Sequence, residues 1–85
     1  MDAALVHSQI TEELIRRLEE SKYQDFPTMN RIEERIRTRE ELERYVQVLV
    51  HKLEDTKFRS APVFERVDRA VSLLERFDKY AARPA

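Results

Sequence analysis

The chain has no glycine among its 85 residues, and several functional classes are excluded with it. Dinucleotide folds and P-loops need glycine so that the backbone can approach a phosphate closely. Two-residue β-hairpins favour it where φ is positive. Helices without it must end on Asn, Asp, Lys or a proline stop. Cysteine is absent too, which removes disulfides, thiolate metal ligands and thiol nucleophiles. No stretch approaches the roughly 18 apolar residues of a membrane span. The opening Met1-Asp2-Ala3-Ala4-Leu5-Val6-His7 lacks the basic region and long apolar run of a signal peptide. The expected location is the cytoplasm. An excess of one charge is also missing. Lys+Arg number 16 against 17 Asp+Glu, a formal net charge of −1, so no global field draws the chain to nucleic acid or to an anionic membrane.

What the sequence does hold points to helices. The hydrophobic fraction of 41% is that of a globular fold rather than a disordered tail. The charged fraction of 39% exceeds the usual quarter, which fits helices with wet, salt-bridged outer faces. Arginine outnumbers lysine 12 to 4, a balance that suits bidentate pairing with carboxylates but that coding bias also produces. The length allows one domain, assigned to 1–82, with 83–85 as a frayed tail. A chain this short hides only roughly 60% of its unfolded surface.

The first helix is predicted from Asp2, as N-cap, to Lys22. Val6, Ile10, Leu14 and Leu18 recur every four residues and form its stripe, joined by Ala3. Glu12–Arg16 and Glu13–Arg17 are i, i+4 pairs in the favourable order. The stretch Tyr23-Gln24-Asp25-Phe26-Pro27 ends the helix, since proline disfavours helical geometry before it. A second helix restarts with Thr28 as cap. Met29, Ile32 and Ile36 share one face, whereas Leu42, Val46, Leu49 and Leu53 lie about 110° around the axis. Thr38-Arg39-Glu40-Glu41 between them has the capping-box pattern, so a break or kink is predicted near Arg37–Thr38. The rival reading is one long helix that packs on a different neighbour at each end. Residues Arg39 to Asp55 read as helix despite the β-branched run Tyr45-Val46-Gln47-Val48-Leu49-Val50. Thr56 to Arg59 connect. Ser60 caps the last helix, with Pro62 in its first turn. That helix runs to about Tyr80 with Val63, Val67, Ala70, Leu74, Phe77 and Ala81 as a heptad seam. Phe64 and Val71 widen the seam on one side, Leu73 and Tyr80 on the other. The fold class is therefore all-α, an antiparallel three-helix bundle, or four helices if the second breaks near Arg37–Thr38.

Candidate chemistry is sparse. His51 and Glu54 share a face at i, i+3, which is half of a metal site. The Glu-x-x-His pair of di-iron bundles would need an acid where Val48 stands, and His7 has no carboxylate behind it at that spacing. Ser8, Ser21, Ser60 and Ser72 form no nucleophile–base–orienter set: Ser60 reads as a cap, and Ser8 beside His7 points away from it. No enzyme activity, cofactor, metal or small-molecule substrate is inferred. Arg31, Arg35 and Arg39, spaced by four with Arg37 nearby, make a basic ridge that an anion or nucleic acid could use. Glu33, Glu34, Glu40 and Glu41 interleave with it, and no aromatic residue stacks within it.

The remaining signal is apolar surplus. Leu5, Ile15, Val48, Val50, Leu73 and Tyr80 fall off the main stripes of their helices. A second apolar face on several helices suggests a partner surface. The expectation is a protein–protein interaction module, an adaptor, regulator or assembly subunit, self-associating as a homodimer through those six residues. The alternative is a nucleic-acid-associated regulator using the arginine ridge. The phrases Phe26 to Glu33 and Phe58 to Phe64 carry no motif of a known family.

Overall fold

The computed structural model describes residues 2–81, with side chains for 2–79. Among them the chain is all helical: α1 Ala3–Glu20, α2 Phe26–Arg35, α3 Arg39–Lys52 and α4 Ala61–Ala81, with a 3-10 turn at Thr56–Phe58. The second predicted helix is thus two, broken at the expected corner. The frayed tail expected at 83–85 and the side chain of Tyr80 lie outside the described residues.

The starts of α1, α2 and α3 are set by capping side chains, and α1 and α2 end on extended residues. No described residue has positive φ. Asp2 caps α1, accepting from the amides of Ala4 and Leu5 at 3.0 and 3.4 Å. Ser21 ends it in extended conformation, and Ile36 ends α2 in the same way. Thr28 is not the cap of α2. Asp25 is, accepting from the Thr28 amide at 3.2 Å and from the Thr28 hydroxyl at 2.6 Å. Pro27 then sits in the first turn, where its missing N–H leaves no bond unmade. The proline read as a stop is therefore part of a start. The capping box of α3 forms as predicted: the Glu41 amide donates to Thr38 Oγ1 at 3.2 Å, and Glu41 Oε1 accepts from the amides of Thr38 and Arg37 at 3.1 and 3.0 Å. At the start of α4, the Ser60 hydroxyl donates to Gln24 Oε1 at 3.2 Å, tying two connections together.

Successive helices alternate in direction. His7 of α1 meets Arg35 of α2, Glu12 of α1 pairs with Arg44 of α3 at 3.1 Å, and Arg39 at the start of α3 pairs with Asp78 near the end of α4 at 2.6 Å. α1 packs on α2 and α3, and α3 packs on α4. The Cα extents are 43 × 34 × 16 Å, so the domain is a thin slab with α3 shared by both halves of the packing.

Two stripes differ from those read in the sequence. On α1 the buried residues are Thr11, Leu14, Ile15 and Leu18. A strict spacing of four drifts about 40° per step, so Val6 and Ile10 have turned away from the arc that Leu14, Leu18, Thr11 and Ile15 fill. Ile10 is exposed. On α3 the buried set is Glu41, Leu42, Tyr45, Val48, Leu49 and Lys52. Its centre lies about 70° from the predicted face because α1 covers the Val48 side. Val46 and Leu53 are half-buried. The core joins these residues to Met29, Ile32 and Ala70. Below it, Lys52 Nζ donates to the Ser21 carbonyl at 2.5 Å and lies 5.0 Å from the Phe58 ring centroid. Burial pulls the pKa of this ammonium down.

The corner at Ile36–Thr38 gives a test. Thr38→Ala should lower stability by about 1 kcal/mol in urea denaturation. Glu41→Ala should cost more, because two backbone amides lose their acceptor.

A candidate interaction cleft between α2 and α4

Three helices meet at one carboxylate. Glu33 of α2 is carried to the α4 side by its place one residue after buried Ile32. Its Oε2 accepts from the Tyr45 hydroxyl of α3 at 2.5 Å and from Arg66 Nη1 of α4 at 2.7 Å. The Arg66 guanidinium also lies 5.2 Å from the Phe26 ring centroid. Burial first, and the Glu33 carboxylate second, hold the Tyr45 phenol well above the ordinary tyrosine range. Among the described residues no buried side-chain nitrogen or oxygen lacks a partner.

Beside this junction the end of α2, α3 and α4 enclose a cleft of about 200 Å³. Its apolar lining comes from Ile36 just past the end of α2, Leu42 on α3, and Ala70, Leu73 and Phe77 on α4. Leu73 is 42% exposed and Phe77 39% exposed, large values for residues four apart on the side of α4 that looks into the molecule. Arg66, held by Glu33, closes one end, and Arg69 stands at the rim.

The six residues expected at a partner surface divide. Ile15 has 0% exposure and Val48 7%, so both belong to the core of the single chain. The reason is the rotated arcs on α1 and α3: a residue off the predicted stripe is central to the real one. Leu5, Val50 and Leu73 are exposed. Sequence reasoning missed Phe77, which it placed on the α4 seam, and Ile10, which it placed on the α1 stripe. Both stripes were read as if covered along their whole length. Phe64, placed beside the seam, is also exposed. Tyr45 and Glu33 were passed over as well. Their signal was a hydroxyl on a buried arc with opposite charges, Glu33 and Arg66, at the edges of two neighbouring arcs.

The arginine ridge is divided by the helix break. Arg31 and Arg35 are on α2, Arg37 is in the corner, and Arg39 opens α3. Arg39 pairs with Glu43 at 2.5 Å and with Asp78, whose carboxyl it holds below the ordinary range. Arg35 faces His7: its carbonyl oxygen is 3.1 Å from Nε2 and its Nη1 is 3.3 Å from Nδ1. A neutral ring protonated at Nε2 satisfies both bonds. Arg31 and Arg37 remain exposed, on different elements. His51 Nδ1 lies 3.6 Å from Glu54 Oε2 with both side chains largely exposed. Among the described residues no group of three or more His, Asp or Glu is placed to hold a metal ion. None of their helices is long and apolar enough to cross a membrane. The sequence matches no family model, no curated protein and no solved structure.

The Tyr45 junction predicts alkaline behaviour. Below about pH 10 the folded and unfolded states both hold the phenolic proton. Above it the unfolded chain sheds a proton that the folded chain keeps, so stability falls as pH rises. Tyr45→Phe should lose about 1 kcal/mol at neutral pH. Its stability should then fall less than the parent's between about pH 9 and 11, read by far-UV circular dichroism in urea.

Proposed function

We propose that the chain is a non-catalytic helical interaction module, an adaptor or assembly subunit of the cytoplasm, that binds protein through the cleft between α2 and α4 and associates with itself. The observation that carries this reading is Leu73 and Phe77, exposed side by side over an apolar floor. Burying a side chain of that size contributes roughly 1.5–3 kcal/mol, so a partner that covers both gains enough to select a specific geometry. Single exposed apolar residues are ordinary on any surface. Two that line one concave feature are not scattered. The polar end of the cleft supports binding over catalysis, because Glu33, Tyr45 and Arg66 spend hydrogen bonds on one another. Leu5, Val50 and Phe64 supply further exposed apolar surface for a second copy. Val50 and Phe64 flank the connection between α3 and α4.

The test combines light scattering over a range of concentrations with retention of extract proteins on immobilised chain. The Leu73→Glu/Phe77→Glu variant serves as the comparison. The parent should self-associate or retain a defined protein that the double variant loses, with helicity unchanged. A chain that stays monomeric at high concentration, and retains the same proteins with and without the two substitutions, overturns the proposal.

A further inference from the structure

α1, α2 and α3 end without glycine, and at each end a carbonyl accepts from a side chain outside that helix. Lys52 Nζ donates to the Ser21 carbonyl at the end of α1, at 2.5 Å. Arg59 Nε donates to the Leu53 carbonyl at the end of α3, at 2.7 Å. His7 Nε2 lies 3.1 Å from the Arg35 carbonyl oxygen at the end of α2. Lysine and arginine act there only as donors, whereas a histidine ring changes its set of donors and acceptors near neutrality. We infer that His7 and Arg35 form a proton-sensitive clasp. The neutral ring holds the Arg35 side chain; the protonated ring releases it and keeps the Arg35 carbonyl.

Two contacts to one residue fix the state of the ring. Nε2 faces a carbonyl oxygen, which only accepts, so Nε2 carries the proton. Nδ1 faces Arg35 Nη1 at 3.3 Å, which only donates, so Nδ1 is bare. Both bonds exist together in one form alone, the neutral ring protonated at Nε2. A second proton has to go to Nδ1. It removes the acceptor and sets an imidazolium against a guanidinium, and that contact is lost. The other contact survives, because Nε2 still donates and a positive ring is favoured where the last carbonyls of a helix point.

The charges around the ring leave this exchange to Arg35. On α1 the neighbours three and four residues away are Ala3, Ala4, Ile10 and Thr11, none of them charged. Asp2 spends its carboxylate on the amides of Ala4 and Leu5. On α2, Arg31 lies one turn before Arg35 and is a second cation. Exposed Glu34 projects about 100° away from Arg35, and Glu33 is engaged by Tyr45 and Arg66. α3 packs on a different side of α1: Glu12, paired with Arg44 at 3.1 Å, is about 140° around the helix from His7. At the corner, Glu41 Oε1 accepts from the amides of Arg37 and Thr38.

The clasp joins the start of α1 to the last turn of α2, just before the corner at Ile36–Thr38. Its release changes a surface and not the fold. A half-buried arginine becomes available one turn from exposed Arg31, beside a ring that has itself turned positive. Arg35 is not among the residues that line the α2–α4 cleft, so neither feature depends on the other.

Nuclear magnetic resonance on the full chain, across the ring's own protonation step, tests the clasp. Ring nitrogen shifts read the tautomer, and cross-relaxation between the Arg35 side chain and the His7 ring reads the contact. Above the step, the Nε2-protonated tautomer should dominate and the contact should be present. Below it, the contact should be lost with helicity unchanged by circular dichroism. Arg35→Met removes the guanidinium and keeps an apolar stem, so its His7 ring should take up the proton at a higher pH than the parent's. His7→Gln has no ring to protonate, so the Arg35 side chain should show no response over the same pH range. A dominant Nδ1-protonated tautomer above the step, or an Arg35 contact that persists below it, overturns the clasp, and these two measurements on the parent decide even where a variant fails to fold. An unmoved ring titration in Arg35→Met, or an Arg35 response that survives His7→Gln, also overturns it. Helicity that falls as the ring protonates overturns the retained cap, since the carbonyl has then been released as well.

Discussion

Glu41 uses one carboxylate oxygen to hold the amides of Arg37 and Thr38, and the Thr38 hydroxyl returns the favour to the Glu41 amide. That exchange stops the helix at Arg35 and starts another at Arg39 in a new direction. Most of the tertiary structure follows from it. A continuous helix would have to choose one face for burial. Broken, its first part lays Met29 and Ile32 against α1, while its second turns Leu42, Tyr45, Val48 and Leu49 inward. α2 ends in extended conformation at Ile36, and that residue forms one wall of the cleft opposite α4.

The closed end of that cleft has a different physical character. One oxygen of Glu33 takes bonds from α3 and from α4, which fixes the distance of α2 from both. Burial of a hydroxyl and a guanidinium is tolerable only when each finds a partner. Here each does, and the aromatic face of Phe26 adds a second contact for Arg66. Rigid at one end and open at the other, the space between α2 and α4 has a defined mouth. A docking segment would then meet preformed walls, which lowers the ordering cost of binding.

The sequence made the helical class and the break at Arg37–Thr38 legible, because a phase change in apolar spacing and a Thr-x-x-Glu motif both act locally. Pro62 in the first turn of the last helix was legible for the same reason. The cap at Asp25 was not. Thr28 and Asp25 are both good caps, and the choice depends on which one the first turn can reach with Pro27 in place. The exact buried arcs were less legible still. Spacing alone gives a stripe's direction only relative to its own helix, and the neighbour that covers it is a tertiary fact. Hence Ile15 and Val48, assigned to a partner surface, are core, while Ile10 and Phe77, assigned to stripes, are exposed. The cleft drew residues from α2, α3 and α4, and no periodicity in one segment could have assembled them.

The backbone itself makes few demands on residue identity. Every described residue has negative φ, so each position lies in territory open to ordinary L-amino acids. Nothing in the turns requires the one side chain that lacks a Cβ. What fixes a position is what its side chain touches: an acceptor at a helix start, a partner for Glu33, a volume under α3. Evolution of such a domain is free to rewrite its corners residue by residue as long as those few touches survive, and relatives of this chain would keep a scatter of caps and core volumes rather than a string of invariant turn residues.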